Sequence, residues 1–216
     1  MKVVVAIDGP AASGKSTVAR AVARELGFVW LNTGAFYRGA TWWFLEKCGG
    51  VPAEEAVPGL LEAAGFSAEV DGGAAHMRAG GVDPSPFTRS PEVNAAVSFV
   101  SRHAAVRAAL NAIFRGLGGE HALVAEGRDV GSVIFPATPF KFYIDATPEE
   151  RERRRRAEGG QDAIAERDRL DSQRASAPLA VAEGARVIDS TGLTPAEVVG
   201  MVLEALENGG VPRART

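Results

Sequence analysis

Cysteine is almost missing. A single thiol, Cys48, rules out an internal disulfide and makes a reducing compartment the default. At the end of a predicted helix it reads as a buried structural thiol. Lysine is scarce too, confined to Lys2, Lys15, Lys47 and Lys141, so arginine carries nearly all the positive charge. Genome composition accounts for such a bias, and so does a need for planar guanidinium forks that grip phosphate. Asn and Gln together number six, a low content of thermolabile amides. The three histidines, His76, His103 and His121, share no metal-ligand spacing and read as structural. No apolar run reaches the ~18 residues of a membrane-crossing helix. Asp8 and Gly9 interrupt the apolar start before it could serve as a secretory signal. A cytoplasmic protein with no membrane partner is expected. The net charge of −3 gives no global attraction to nucleic acid. No long apolar surface helix calls for a second copy, so a monomer is expected.

What is present suits one globular domain with a small insertion: 216 residues, 46% hydrophobic and 24% charged. KVVVAI at 2–7 is a β-branched run suited to a strand buried on both faces. A helix is predicted over 15–26, with Val18, Val22 and Leu26 at four-residue spacing and Gly27 placed to end it. FVWL at 28–31 reads as a second strand, and 34–48 as a second helix with Phe36, Ala40 and Trp43 on one face. Trp42 and Trp43 could form a stacking surface, yet at least one reads as core. The stretch 66–90 alternates and is cut by Gly-Gly pairs, which predicts a hairpin excursion outside the main sheet. Helical pattern resumes at Pro91, and Val106, Leu110, Ile113 and Leu117 mark one long helix ended by Gly118 and Gly119. Strands are predicted at 121–125, 140–146 and 185–189, an Arg-rich helix from Pro148, a last helix over 195–206, and a frayed tail beyond Asn208. The alternation predicts an α/β fold of P-loop NTPase type, three layers deep, with a five-stranded parallel sheet covered by helices on both faces.

Gly9-Pro10-Ala11-Ala12-Ser13-Gly14-Lys15-Ser16 satisfies G-x-x-x-x-G-K-[ST] in full, and Thr17 follows it. Its place between a predicted strand and a predicted helix is the context that gives the pattern meaning. Glycines let successive N–H groups converge on an anion at a helix N-terminus. Lys15 is expected to reach the β- and γ-phosphates of ATP, and the Ser16 hydroxyl to hold Mg²⁺. The motif alone leaves motor, switch and kinase open. No Asn is followed by Lys, so the guanine-reading N-K-x-D of a switch is missing. The D-x-x-G at Asp189 to Gly192 follows the last strand, where a γ-phosphate sensor would not lie. Motor ATPases are usually larger, so both classes recede.

Arginine recurs beside short polar residues in NTGAFYR at 32–38, SRHAAVR at 101–107, EGRD at 126–129 and ERDRLDSQR at 166–174. Two of these directly follow predicted strands, at the edge where open α/β sheets bind ligands. Arg167, Asp171 and Arg174 fall at i, i+4 and i+7, one stripe of a helix. A solvated face laced with i, i+4 pairs would explain any one cluster. Four of them in one P-loop chain point to a second anionic substrate.

Taken in order, IDGPAASGKST, GAFYR, EGRDVGSVIFP and ERDRLDSQRASAPL resemble the cytidylate kinase family, the bacterial (d)CMP kinases among the nucleoside monophosphate kinases, over almost the whole chain. The resemblance implies transfer of a phosphoryl group from ATP, with Mg²⁺, to CMP or dCMP. It implies a core over 1–65, 91–150 and 171–208, an acceptor-side strand-rich insertion over 66–90, a short Arg-rich lid over 151–170 and a tail over 209–216. By the same resemblance, ATP binds along Gly9 to Thr17, and Arg38, Arg128 and Arg174 grip the acceptor phosphate near Thr33. Arg167 and Asp171 hold the ribose, and Ser98, Arg107 and Asp129 read cytosine. A carboxylate and a guanidinium complement the N4 donor and the N3 and O2 acceptors of cytosine, whereas uracil would leave them mispaired. Among the arginines of 151–156, Arg151 and Arg155, at i and i+4, are expected to reach the transferring phosphoryl group. The others are expected to be solvated or paired with Glu149, Glu150 and Glu152.

The chain departs from the family pattern in three places. Asn32-Thr33 stands where Asp-Ser is common, Glu126 where Asp is commoner, and the lid is shortened to about AEGGQDA. A monophosphate with a second pKa of about 6 is largely dianionic at pH 7 and needs no general base. The lack of a catalytic Asp-plus-Asn loop therefore agrees with such an acceptor. Two alternatives stay open: a small P-loop kinase for another acceptor, such as UMP or shikimate, and a nucleotide-dependent regulator that binds without turnover.

Overall fold

Strand β1 (Val4–Asp8) is buried at all five positions because helices cover both of its faces. Val4 and Ala6 enter one core while Val5 and Ile7 enter the other, the period-2 alternation of a central strand. The structure is a computed structural model in which residues 2–157 and 179–214 are described. After β1 come α1 (Lys15–Leu26), β2 (Val29–Asn32), α2 (Thr33–Cys48), α3 (Val57–Ala64), β3 (Ser67–Asp71) and β4 (Ala74–Arg78). Then follow α4 (Pro91–Val100), α5 (Ala104–Glu120), β5 (Leu123–Gly127), β6 (Phe140–Asp145), α6 (Pro148–Ala157), β7 (Arg186–Asp189) and α7 (Pro195–Asn208). Helices α1 and α7 pack on one face of the sheet, through Val18, Val22, Val202 and Leu206. Helices α2 to α5 pack on the other, where the Phe36 and Phe114 rings meet edge to face at 5.2 Å.

The sheet corrects the expectation of five parallel strands. It has seven strands in the order β3-β4-β2-β5-β1-β6-β7 and is mixed. The hairpin β3-β4 was expected outside the main sheet. Instead β4 runs parallel to β2 with Trp30 opposite Ala74, and the Trp30 N–H is donated to Gly73 O at 2.9 Å. Among the strands of the described residues, only β3 and β4 pair antiparallel. The hairpin covers an edge of the parallel block, since β2, paired with β5 on its other side, would otherwise be an edge strand.

Other departures have local causes. The helix expected after Pro91 is two: Ser101 donates its hydroxyl to Ser98 O, and His103 turns extended to begin α5. Gly118 and Gly119 do not end α5, which runs on to Glu120. Gly118 is there for space, since a Cβ would stand 2.7 Å from the Phe135 ring. Helix α3 went unread because it is short and carries Pro58 and Gly59. Cys48, read as buried, is exposed on the last turn of α2. Trp43 is core, while Trp42 stacks on Phe87 at 5.1 Å with the rings 10° apart. Beyond α7 the chain does not fray at once: Val211 is buried and its N–H is donated to Leu206 O at 2.9 Å. Among the described residues no helix is long and apolar enough to cross a membrane.

Candidate active site

The loop from Gly9 to Gly14 joins the C-terminal end of β1 to α1. Gly9 lies so close to β6 that a Cβ would meet Ile144 O at 2.1 Å, so only glycine fits. Ala12 (φ 56°) and Gly14 (φ 86°) both turn left-handed, and Ala12 is alone among described non-glycine residues in doing so. Such turns aim consecutive N–H groups into one concavity, and a strained alanine there marks a conformation held for function. Lys15 is buried at the floor and donates Nζ to Pro10 O at 3.0 Å. The first turn of α1 has no side-chain cap, which leaves the positive end of the helix facing the concavity.

Two buried carboxylates support this loop. Asp8 accepts from the N–H groups of Val130 and Gly131, both at 2.8 Å. Burial pushes its pKa up to about 6, against the pull of those two hydrogen bonds and of Lys15, with Asp129 adding to the rise. Glu126, on β5, accepts from Ser16 Oγ at 2.6 Å through Oε2, while its backbone carbonyl accepts from Thr33 Oγ1 at 2.8 Å. Burial raises the Glu126 carboxyl, opposed by Lys15, Ser16, Arg128 and the Trp30 indole N–H. Its buried Oε1 and the Trp30 indole N–H lie close to each other but outside good hydrogen-bond geometry.

A cleft of about 940 Å³ opens above these groups, at the C-terminal ends of the strands. Ala11, Ala12, Lys15 and Ser16 line one wall. Thr33, Arg38, Ser98, Arg128 and Asp129 line the other, and Arg155 reaches it from α6. Arg38, Arg128 and Asp129 are already engaged. Arg128 donates Nη1 to Gly9 O at 2.8 Å, tying the acceptor wall to the phosphate loop. Arg107 is 5% exposed and forms a buried ion pair with Asp129, its guanidinium 5.5 Å from the centre of the Tyr37 ring. Such a pair adds little stability but fixes both groups in one orientation. Arg38 donates Nη1 to Asn94 Oδ1 at 2.5 Å and to Thr88 O at 3.1 Å.

Helix α6 divides its arginines by face. Arg151 donates to Ala11 O at 3.2 Å and to Ala146 O at 3.1 Å. Arg154 donates to Ser13 O at 3.2 Å and to Ser190 Oγ and O at 3.0 and 2.8 Å. Glu150, 16% exposed, pairs with both Arg153 and Arg154, while Arg156 pairs with Glu152 on the outer surface. The expected lid and the residues Arg167, Asp171 and Arg174 lie outside the described residues. Sequence reasoning passed over Asp8, Asn94, Arg154 and Ser190. Asp8 carried a visible signal, a carboxylate at the end of a buried strand directly before the loop. The others sit at no recognisable spacing and are brought in by the fold. Among the described residues no group of three or more His, Cys, Asp or Glu could hold a metal ion.

A glycine loop joining a buried parallel strand to a helix, with arginines facing it across one cleft, defines an α/β protein of P-loop type. A family model described as Cytidylate kinase matches residues 5–208. The chain belongs to the cytidylate kinase family. It is 43% identical over 217 residues to a bifunctional pantoate ligase/cytidylate kinase of Synechococcus sp. (strain CC9311), covering 94% of this chain and 43% of that protein. It is 39% identical over 220 residues to a cytidylate kinase of Solibacter usitatus (strain Ellin6076), covering 96% of this chain and 93% of that one. The chain thus spans less than half the length of the bifunctional relatives. Its fold is similar to that of TT1252 from Thermus thermophilus, with a TM-score of 0.50 at 22% identity over 96% of this chain and 97% of the other. An uncharacterized protein from Eubacterium ventriosum ATCC 27560 gives a TM-score of 0.52 at 11% identity, over 95% of this chain and 99% of that one.

Proposed function

We propose that this chain transfers the γ-phosphoryl group of ATP to CMP or dCMP, releasing ADP and CDP or dCDP. The observation that carries the reading is the single cleft in which the loop of Lys15 and Ser16 faces Arg38, Arg128 and the Asp129 carboxylate. In this reading the loop and the first turn of α1 bind the donor phosphates through N–H groups, and Lys15 neutralises charge on the group in transfer. Arg38 and Arg128 hold the acceptor phosphate, joined by Arg174. Arg128 bonds Gly9 O, so its position depends directly on the loop that holds the donor. Ser98 and the Arg107–Asp129 pair meet the edge of cytosine, and Arg167 and Asp171 meet the ribose. Arg155 and Arg151 act from the lid side. Catalysis consists of positioning and charge neutralisation in a site closed against water. The acceptor phosphate arrives dianionic and needs no base.

The donor set suits a magnesium ion. Ser16 Oγ and the Glu126 carboxylate are hard oxygen donors side by side, and Oε1 of Glu126 is buried with no hydrogen bond of good geometry. Mg²⁺ bound there with ATP would neutralise charge on the β- and γ-phosphates; Ser16 holds it and Glu126 orients Ser16. The pantoate ligase activity of the bifunctional relatives has no counterpart in this reading.

ADP release measured with a panel of acceptors tests the proposal. CMP and dCMP should be preferred over UMP and AMP by about 10² or more in kcat/KM, the size of discrimination that a buried polar pair gives against an analogue that mispairs with it. Equal rates across the panel would point to another acceptor. A slow release at every CMP concentration would point to a regulator.

A further inference from the structure

Arginine 38 is held by the start of α4, and the residue that holds it is Asn94. The Arg38 side chain leaves α2 and crosses to the segment that joins the hairpin to α4. There Nη1 donates one hydrogen to Asn94 Oδ1 at 2.5 Å and the other to Thr88 O at 3.1 Å. Asn94 cannot present its amide the other way round, because its Nδ2 is committed to Arg89 O at 3.1 Å. Its backbone is fixed as well: the Asn94 N–H is donated to Ser90 O at 3.0 Å, and Ser90 caps α4 by accepting from Val93 N–H. The chain of constraint therefore runs from the helix cap through Asn94 to the guanidinium.

Both acceptors of Nη1 are neutral oxygens, so they orient the guanidinium without cancelling its charge. A carboxylate at position 94 would bind the guanidinium more strongly and oppose an incoming phosphate, at the cost of the bond that Nδ2 gives Arg89 O. Ser98 lies four residues further along α4, one turn away on the same face, and lines the same cleft. Helix α4 rises about 6 Å between the two, so one rigid helix carries both a support for the phosphate arginine and a group facing the base.

From this geometry we infer that Asn94 is a positioning residue for the acceptor phosphate, acting through Arg38. The inference rests on the reading above that Arg38 grips that phosphate. Asn94 sets the direction of the guanidinium and, by its neutrality, preserves the attraction for a dianion.

Steady-state kinetics of Asn94→Ala, Asn94→Asp, Arg38→Ala and the Asn94→Ala/Arg38→Ala pair, each with a thermal melt, test this. Asn94→Ala should raise KM for CMP about tenfold, the effect of one lost hydrogen bond to a charged group, and leave KM for ATP within about twofold of wild type. Asn94→Asp, nearly isosteric, should raise KM for CMP further than Ala does, and the melt reads separately what is lost with the Nδ2 bond to Arg89 O. In the Arg38→Ala background, Asn94→Ala should add nothing. An additive double variant, or an Asn94→Asp with wild-type KM for CMP, would overturn the role of Asn94 while leaving Arg38 in place. An Arg38→Ala variant with wild-type KM for CMP would overturn the phosphate reading itself.

Discussion

The two walls of the cleft are built by different means. The donor wall is six loop residues and the first turn of one helix, and its shape is main-chain conformation: left-handed turns at Ala12 and Gly14, and a Gly9 pressed against Ile144 O. The acceptor wall is side chains from α2, α4 and the turn after β5, backed by Arg107 of α5, and its charged groups are fixed by partners from elsewhere. Arg38 is fixed by Asn94, Arg107 by Asp129, and Arg128 by Gly9 O. A wall of backbone tolerates side-chain changes outside its few special positions. A wall of paired side chains fails one contact at a time, and each failure should affect the acceptor more than the donor.

The contrast is broken most strongly at Lys15, the side chain on which the donor wall depends. Lys15→Ala should lower kcat about 10³-fold, at the upper end of the range for removing one preorganised group aimed at developing charge. It should change KM for CMP little. Initial rates with each nucleotide varied in turn would check this, with a melt to establish folding. A variant whose loss falls mainly on KM for CMP would show that the two walls are not separable.

Asp8 sharpens the comparison from beneath, because it sits at the root of the loop and supports the Val130–Ile134 turn that follows Asp129. Its carboxyl ionises near 3.8 in the unfolded chain and near 6 in the fold, so over that window the native state holds the proton more tightly. Its contribution to stability therefore falls as pH rises from about 4 to about 6 and is level above that. The fall is about 3 kcal/mol at 1.36 kcal/mol per pKa unit. Asp8→Asn cannot titrate, so the difference in urea-unfolding free energy between wild type and variant should carry this slope. A difference that is flat from pH 4 to 7 would mean that Asp8 is not held in this state.

The same division explains what could be read from the sequence. The loop was legible because its eight defining residues are contiguous and their spacing is dictated by backbone geometry. Helices α1 and α2 were legible from four-residue apolar spacing with a glycine at each end. The hairpin was legible as a hairpin but not as part of the sheet. Its attachment depends on one long-range pair, Trp30 with Ala74, which leaves no periodic trace. In the acceptor wall, Arg38, Arg107 and Arg128 could be nominated from motifs, yet their partners could not. Asn94 lies 56 residues from Arg38, and nothing in a helix that reads PEVNAAVSFV marks one polar side chain as a clamp. The break at Ser101 and the exposure of Cys48 were missed because both depend on which face the folded neighbours cover.

The smallest effect is expected on α6, where two arginines two residues apart meet different surroundings. Arg154 donates to Ser13 O and to Ser190, holding the helix against the phosphate loop. Arg156 is 77% exposed and pairs with Glu152 at 3.0 Å. Exposed i, i+4 pairs contribute little to stability and are screened by salt. Arg156→Ala should therefore leave KM for both nucleotides, and kcat, within about twofold of wild type. Arg154→Ala, by contrast, should raise KM for ATP several-fold, because it loosens the loop rather than removing a field. Kinetics at low and high salt would separate the two. If Arg156→Ala matched Arg154→Ala at low salt and recovered at high salt, the arginines of α6 would act as a diffuse positive field. Contact with the loop would then not be what distinguishes the working arginines from the solvated ones.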